Sequence, residues 1–194
     1  MKSAFRLLSL AALAVTGGHA SADVLVPAGQ EVTVSPTEIT RILEPNANSP
    51  YIESLAVPPG YTTFYISGTN PPPMIPAQGR AGEPGYKAAV WGDIFQQTES
   101  LLELHKKNLA KMGLTFGDVI QAHVFMAPDP AANQGIRFAD MNSVWLKYFG
   151  TAGQPNKPAR STFKVASLAA GGSLLEVEFI AVKKIDPKAA AKKK

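Results

Sequence analysis

The stretch that decides the fold is Leu174-Leu-Glu-Val-Glu-Phe-Ile-Ala-Val182. Apolar and polar side chains alternate along it, and this alternation predicts a β-strand with one face in a core. The predicted core-facing residues are Leu175, Val177, Phe179 and Ala181, whereas Glu176 and Glu178 fall on the other face. Because an uncompensated buried carboxylate is costly, each glutamate needs a partner if that second face is also covered.

Two helices are predicted upstream of this strand. Asp93 can cap the first, with Gln96 three residues further on, and Gly113 ends it. The residues that recur at helical spacing between these signals are Ile94, Thr98, Leu101, His105, Leu109 and Met112. The second helix is predicted over 138–149, with a stripe made of Phe138, Met141, Trp145 and Tyr148.

Further strands are predicted over 40–43, 61–67, 119–126 and 160–165. With the last strand, the order becomes β-β-α-β-α-β-β, which predicts an α+β fold with both helices on one face of a sheet. No further helix is left to cover the opposite face. The order therefore predicts an oligomer in which a partner subunit covers it.

Four segments are predicted along the chain. Residues 1–22 have the positive start, the short apolar run and the small-residue end of a signal peptide cut after Ala22, which predicts a periplasmic or secreted protein. The apolar run is too short for a membrane span, which takes about 20 residues. Residues 23–39 are predicted to form an N-terminal extension, 40–184 the folded domain and 185–194 a basic disordered tail.

Composition narrows the classes of function. A hydrophobic content of 45% over 194 residues is enough for one core, and the net charge of +4 depends on the lysines of the tail. No stripe of basic and aromatic residues runs through the domain, which argues against nucleic acid as a partner. The chain has no cysteine, which excludes disulfides and thiolate metal sites. The segment 70–90 is longer than ordinary loops and is predicted to be a rim or lid.

Arg160 is the clearest candidate for chemistry. It follows Pro158 at the entrance of a strand, where its guanidinium could hold a carboxylate or phosphate through two hydrogen bonds. Glu176, on what is predicted to be the neighbouring strand, is its candidate partner; a plain salt bridge or a surface arginine is the alternative. His105 and His123 have no second ligand at metal spacing and are predicted to be structural. The residues alone therefore predict an oligomeric α+β domain with one candidate anion-binding arginine and no cofactor.

Several motifs, taken in order, resemble the RidA family, whose older names are YjgF and endoribonuclease L-PSP. The resemblance covers roughly residues 40–184. The motifs that carry it are Tyr65-Ile-Ser-Gly-Thr69, Gln97-Thr98, Asn108-Leu-Ala-Lys-Met-Gly-Leu-Thr-Phe-Gly-Asp-Val119, Phe138-Ala-Asp-Met-Asn142, Tyr148-Phe149, Pro158-Ala-Arg-Ser161 and the strand 174–182.

The resemblance implies a chorismate-mutase-like unit that assembles as a homotrimer with clefts between subunits. It implies the hydrolysis of enamine or imine carboxylates, of the 2-aminoacrylate type, to 2-keto acids and ammonia without a cofactor. By motif, Arg160 would bind the substrate carboxylate and Glu176 would activate water. The implied substrate-binding residues are Tyr51, Ser67, Gly68, Asn142 and Thr162, the last through its backbone.

The chain also departs from the family pattern. Thr69 stands where many relatives have Gln, and the segment 70–90 exceeds what compact members need. The familiar enamines arise in the cytosol, whereas the leader predicts export. A trimer that binds a small carboxylate metabolite without turnover is therefore the alternative, and RNA cleavage ranks last because no histidine pair or basic groove supports it.

Overall fold

The computed structural model describes residues 23–185. The predicted leader, and all but the first residue of the predicted tail, lie outside the described residues. In chain order the elements are β1 (Val24–Val26), β2 (Thr40–Ile42), β3 (Ser54–Ala56), β4 (Tyr61–Thr69), α1 (Ile94–Lys111), β5 (Val119–Met126), α2 (Phe138–Trp145), β6 (Ala159–Lys164) and β7 (Leu175–Lys184).

The main sheet has four strands in the order β4-β7-β5-β6. Strand β7 is antiparallel to both of its neighbours, and β6 runs parallel to β5 after a crossover through α2. Both helices contribute to the core on one face of this sheet, with Leu101 and Trp145 fully buried beside Phe179. The predicted α+β fold is confirmed, and so is the core face of the last strand, whose Leu175, Val177, Phe179 and Ala181 are all buried.

Helix α1 begins as predicted. The Asp93 carboxylate accepts a hydrogen bond from the Gln96 backbone, and the Gln96 side chain accepts one from the Asp93 backbone. This reciprocal pair satisfies backbone donors that the first turn leaves without partners. Of the predicted apolar stripe, Met112 is the exception, because it lies beyond the last helical residue and is 41% exposed.

Helix α2 is shorter than predicted. It ends at Trp145, and the chain then tightens through hydrogen bonds from Lys147 N to Val144 O and from Tyr148 N to Trp145 O. Hydrogen bonds between residues three apart, as in a 3-10 helix, are common at the end of an α-helix. Phe149 is nevertheless fully buried, so the predicted apolar stripe continues past the helix itself.

A second, three-stranded sheet has the order β1-β2-β3 and lies outside the main one. The first predicted strand of the domain, β2, therefore pairs here and not in the main sheet. The extension contributes β1, which is parallel to β2, while β3 was not predicted because three residues carry no periodic signal. A bridge between Ile52 and Ala159 connects this region to the edge strand β6.

The face of the main sheet opposite the helices is open in the single chain. Tyr65 on β4 is 81% exposed and Phe163 on β6 is 47% exposed. Large apolar side chains on a sheet face are typical of a surface that another subunit covers. The oligomer remains a prediction, and this open sheet face is the surface through which the subunits would pack. Within residues 23–185, no helix combines the length and the apolar character needed to cross a membrane.

Candidate functional site

Arg160 lies on the helix side of the edge strand β6. Its register partner on β5 is Ala122, which is buried in the core, so the Arg160 side chain leaves the same face of the sheet. Its Nη2 atom donates a hydrogen bond to Oδ1 of Asn142, on α2, at 2.7 Å. Its Nε and Nη1 atoms are buried and have no hydrogen-bond partner among residues 23–185. Two nitrogens of this guanidinium are thus able to donate hydrogen bonds to a bound acceptor.

Aromatic rings surround the Arg160 guanidinium. Its central carbon lies 4.8 Å from the ring centroid of Trp145, 5.4 Å from that of Tyr51 and 5.8 Å from that of Phe138. Such ring faces attract a cation where water is scarce. Burial lowers the pKa of Arg160 to about 10, an effect that Tyr51 partly offsets. The group therefore remains charged at neutral pH, in a setting that favours an anion.

The loop that carries Tyr51 is held to the same helix. The Trp145 indole N–H donates to the backbone oxygen of Pro50 at 3.0 Å, one residue before Tyr51. Trp145 therefore contacts both the guanidinium and the loop. We call Arg160, Tyr51, Asn142, Phe138 and Trp145 the arginine cluster.

Glu176 lies on the opposite face of the sheet. Its register partner on β5 is Phe125, whose neighbours in sequence, Val124 and Met126, are the residues that enter the core. A bulge in β4 between Ile66 and Thr69 brings Gly68 against the carboxylate. A Cβ atom on Gly68 would lie 2.1 Å from Oε1 of Glu176, so only glycine leaves room for this carboxylate position.

Asn70 follows directly after β4 and binds the other carboxylate oxygen. Its Nδ2 atom donates to Oε2 of Glu176 at 3.2 Å. Ser67 precedes Gly68 in the bulge and is exposed. We call Glu176, Ser67, Gly68 and Asn70 the glutamate cluster.

The expected pairing of Arg160 with Glu176 is wrong for the single chain. Strand β5 lies between their strands, and the two side chains leave opposite faces of the sheet. No salt bridge joins them within the described part of the chain. The structure thus separates the predicted site residues into two clusters.

The remaining predicted residues fall into these clusters. Asn142 and Tyr51 contact Arg160 directly, and Thr162 lies on the same face of β6 two residues further on. Ser67 and Gly68 belong with Glu176. Asn70 was not predicted, because it lies in the segment that departs from the family motifs. Phe138 and Trp145 were predicted only as a packing stripe, although their rings also face the guanidinium.

The two histidines differ in environment. His105 is fully buried and its Nε2 lies 3.0 Å from the backbone oxygen of Val177, the residue after Glu176. Burial lowers the pKa of His105 to about 4, so the ring is neutral and structural, as predicted. His123 lies on the open face, with Nδ1 2.6 Å from Oε1 of Glu178. In residues 23–185, no three His, Asp or Glu side chains are grouped as metal ligands would be.

A cavity of about 560 Å³ lies between the N-terminal extension and the loop at 43–47. Leu25 and Pro27 line it on one side, and Tyr51 forms part of its wall. Neither Arg160 nor Glu176 lines it. A carboxylate bound by Arg160 would therefore lie outside this cavity.

The fold and the two clusters define a class of α+β protein that presents a buried arginine on one sheet face and a glutamate on the other. Comparisons with known proteins identify the family of the chain. The family model described as Endoribonuclease L-PSP matches residues 42–183, and the chain belongs to this family, which is also called RidA or YjgF.

Individual relatives match between about half and three quarters of the chain. The chain is 35% identical over 138 residues to Protein DfrA of Myxococcus xanthus, covering 71% of this chain and 88% of that protein. It is 35% identical over 111 residues to a RutC family protein of Haemophilus influenzae, covering 57% and 75% of the two chains. Among solved structures, yeast Mmf1 is 30% identical with a TM-score of 0.45, covering 69% of this chain and 87% of its own.

Proposed function

We propose that the protein hydrolyses small enamine or imine carboxylates, of the 2-aminoacrylate type, to 2-keto acids and ammonia. The observation that carries the proposal is the Arg160 guanidinium, which is buried among aromatic rings with two donors unpartnered among residues 23–185. A carboxylate of a small substrate would satisfy both donors through charge-assisted hydrogen bonds. Many members of the family are imine deaminases, which supports the same reaction.

The proposed reaction requires orientation and proton transfer. An imine carbon is already electrophilic, so a positioned water can attack it without a covalent enzyme intermediate. Glu176 accepts a proton from that water as the water oxygen bonds to the imine carbon, and it passes this proton to the substrate nitrogen, which gives a carbinolamine. The hydroxyl proton of the carbinolamine then moves to the nitrogen through Glu176 as the carbon–nitrogen bond breaks, which releases ammonia and leaves the 2-keto acid. Tyr51 or Ser67 would hydrogen-bond the substrate nitrogen or side chain.

The two clusters would act together between subunits. Arg160 and Glu176 leave opposite faces of one sheet, so a single substrate must reach them from two different copies of the chain. A homotrimer that packs the open sheet faces together supplies such clefts and would cover Tyr65 and Phe163. Closed symmetric assembly repeats the same contact in every cleft.

A coupled assay tests the proposal. An amino-acid oxidase generates imines from several amino acids, semicarbazide traps those that persist, and the rate of trapping reports imine lifetime. We expect wild-type protein to shorten this lifetime and Arg160→Ala to have no effect. Glu176→Gln should remove turnover while retaining 2-keto acid binding. Equal imine lifetimes with and without wild-type protein, across all amino acids, would refute the deaminase function.

The second candidate is a trimer that binds a small carboxylate metabolite without turnover. The observation that favours it is that the arginine cluster is complete without Glu176, because Asn142, Tyr51 and Trp145 all come from the same chain as Arg160. Calorimetry with pyruvate or 2-oxobutanoate separates the two candidates. Binding that depends on Arg160, without imine hydrolysis, identifies the binder.

We also propose that the protein is exported and begins at Asp23. The support is the leader pattern of residues 1–22. Intact-mass measurement of the protein purified from its own cells tests this. A mass that begins at Asp23 supports export, and a mass that includes residues 1–22 contradicts it.

A further inference from the structure

Asn70 contacts the Glu176 carboxylate from the end of the neighbouring strand β4. It is the first residue after β4 and the start of the long segment that separates β4 from α1. Its Nδ2 atom lies 3.2 Å from Oε2 of Glu176, 3.4 Å from the backbone oxygen of Leu175 and 3.4 Å from Oγ of Ser173. One side-chain amide therefore bonds the Glu176 carboxylate and the chain just before it.

No cation among residues 23–185 holds the Glu176 carboxylate in place. Within residues 23–185, no Lys, Arg or His lies within ion-pair distance of its carboxylate. Glu178, two residues further along the same face, differs because it pairs with His123. The position of the Glu176 carboxylate is thus set by the space above Gly68 on one oxygen and by the Asn70 amide on the other.

The segment beginning at Asn70 is attached to the same region at its far end. The Gln97 side chain donates to the backbone oxygens of Gly92 and Gly172 and accepts from the backbone N–H of Leu174. The Trp91 ring lies against Gly172, where a Cβ would be 2.3 Å from it. Both ends of the segment 70–92 therefore contact the turn that leads into Glu176. These contacts keep Asn70 beside the carboxylate.

We propose that Asn70 is a positioning residue for the water-activating glutamate. Its amide holds the Glu176 carboxylate in one orientation, so that the carboxylate is positioned to accept a proton from water. This inference rests on the proposed hydrolysis and adds a residue outside the family motifs quoted above. Hydrogen bonds to a charged acceptor stabilise more than neutral ones do, so loss of this bond should lower kcat by about tenfold or more.

Two substitutions at Asn70 separate positioning from packing. Asn70→Ala should lower kcat about tenfold with KM within about twofold, because Arg160 and not Glu176 binds the substrate carboxylate. Asn70→Asp keeps the shape but has no donor and places a like charge beside Glu176, so it should lower kcat about a hundredfold. A residue with only a packing role would give the reverse order, with Asp milder than Ala.

Ser173→Ala is the matched control. It removes another partner of Asn70 but leaves the bond to Glu176, and kcat should stay within about twofold of wild type. The inference is overturned if Asn70→Asp is as active as Asn70→Ala or better, or if the loss appears in KM with kcat unchanged.

A second measurement does not depend on turnover. The side-chain amide signals of Asn70 in a proton–nitrogen NMR spectrum should move in Glu176→Gln and stay in place in Glu178→Gln. Unmoved signals in Glu176→Gln would refute the contact, whatever the activity. If wild-type protein hydrolyses no imine but the signals move as expected, the proposed function fails while the positioning of Glu176 by Asn70 stands.

Discussion

The arginine cluster and the glutamate cluster hold opposite charges by opposite means. The Arg160 guanidinium lies among aromatic rings, and two of its nitrogens are buried without a hydrogen-bond acceptor among residues 23–185. Glu176 lies on the open face, where a neutral amide and the space above a glycine define its position. Burying a cation without a counter-ion is costly, and that cost is recovered when an anion binds. The comparison shows that the surroundings of Arg160 come from one chain, whereas Glu176 lies on a sheet face that the single chain leaves open.

The largest expected effect comes from mixing two inactive variants. Arg160→Ala retains Glu176, and Glu176→Gln retains Arg160, so a mixed trimer can contain clefts in which both residues are intact. Random assembly of equal amounts should restore about a quarter of the wild-type clefts. Imine hydrolysis by the co-refolded mixture measures this. If the mixture is as inactive as its components, the two clusters do not meet between subunits.

The next effect concerns the glutamate cluster alone. Gly68→Ala would place a methyl group 2.1 Å from Oε1 of Glu176 and should displace the carboxylate. We expect kcat to fall about a hundredfold, in the range for loss of a general base, with carboxylate binding kept. Gly153→Ala is the control, because nothing lies within 4 Å of its added Cβ. Kinetics and calorimetry on both variants check this, and a Gly68→Ala enzyme with normal kcat would contradict the described position of Glu176.

A third effect is the pH dependence of stability that His105 causes. His105 lies on α1 and contacts the backbone of Val177, next to Glu176 on β7. Burial lowers the pKa of His105 in the folded protein from 6.5 to about 4. Between pH 6.5 and pH 4, the unfolded chain is therefore protonated at His105 and the folded chain is not. Stability should therefore fall as pH drops from 6.5 to 4, by up to about 3 kcal/mol. Urea unfolding of wild type and His105→Gln across this range measures the contribution. A variant with the same pH dependence as wild type would exclude His105 as its source.

The smallest effect concerns the arginine cluster. Tyr51→Phe keeps the ring beside Arg160, whereas Tyr51→Ala removes it. We expect 2-keto acid binding to weaken by about 1 kcal/mol, or a few-fold, in Tyr51→Ala, and to change less in Tyr51→Phe. Calorimetry measures both constants. Equal losses in the two variants would assign the role of Tyr51 to its hydroxyl and not to its ring.

Features that depend on near neighbours could be predicted from sequence. The Asp93–Gln96 cap involves residues three apart, and the core face of β7 follows from strict alternation, so local geometry decides both. The site residues were predicted from motifs, and the structure places Tyr51 and Asn142 in contact with Arg160. The site could not be assembled from sequence, because Asn70 lies in a segment without periodicity or motif.

The sequence by itself determined both helices and most of the strands, the cap of α1, the inward faces of α1 and β7 and the identity of the two charged residues. Only the tertiary structure decided the order β4-β7-β5-β6, which puts β5 between Arg160 and Glu176 and sends their side chains to opposite faces. It also decided that β2 pairs with the extension in a separate sheet. The physical reason is that strand order depends on long-range pairing and burial, whereas periodicity and caps depend only on residues a few positions apart.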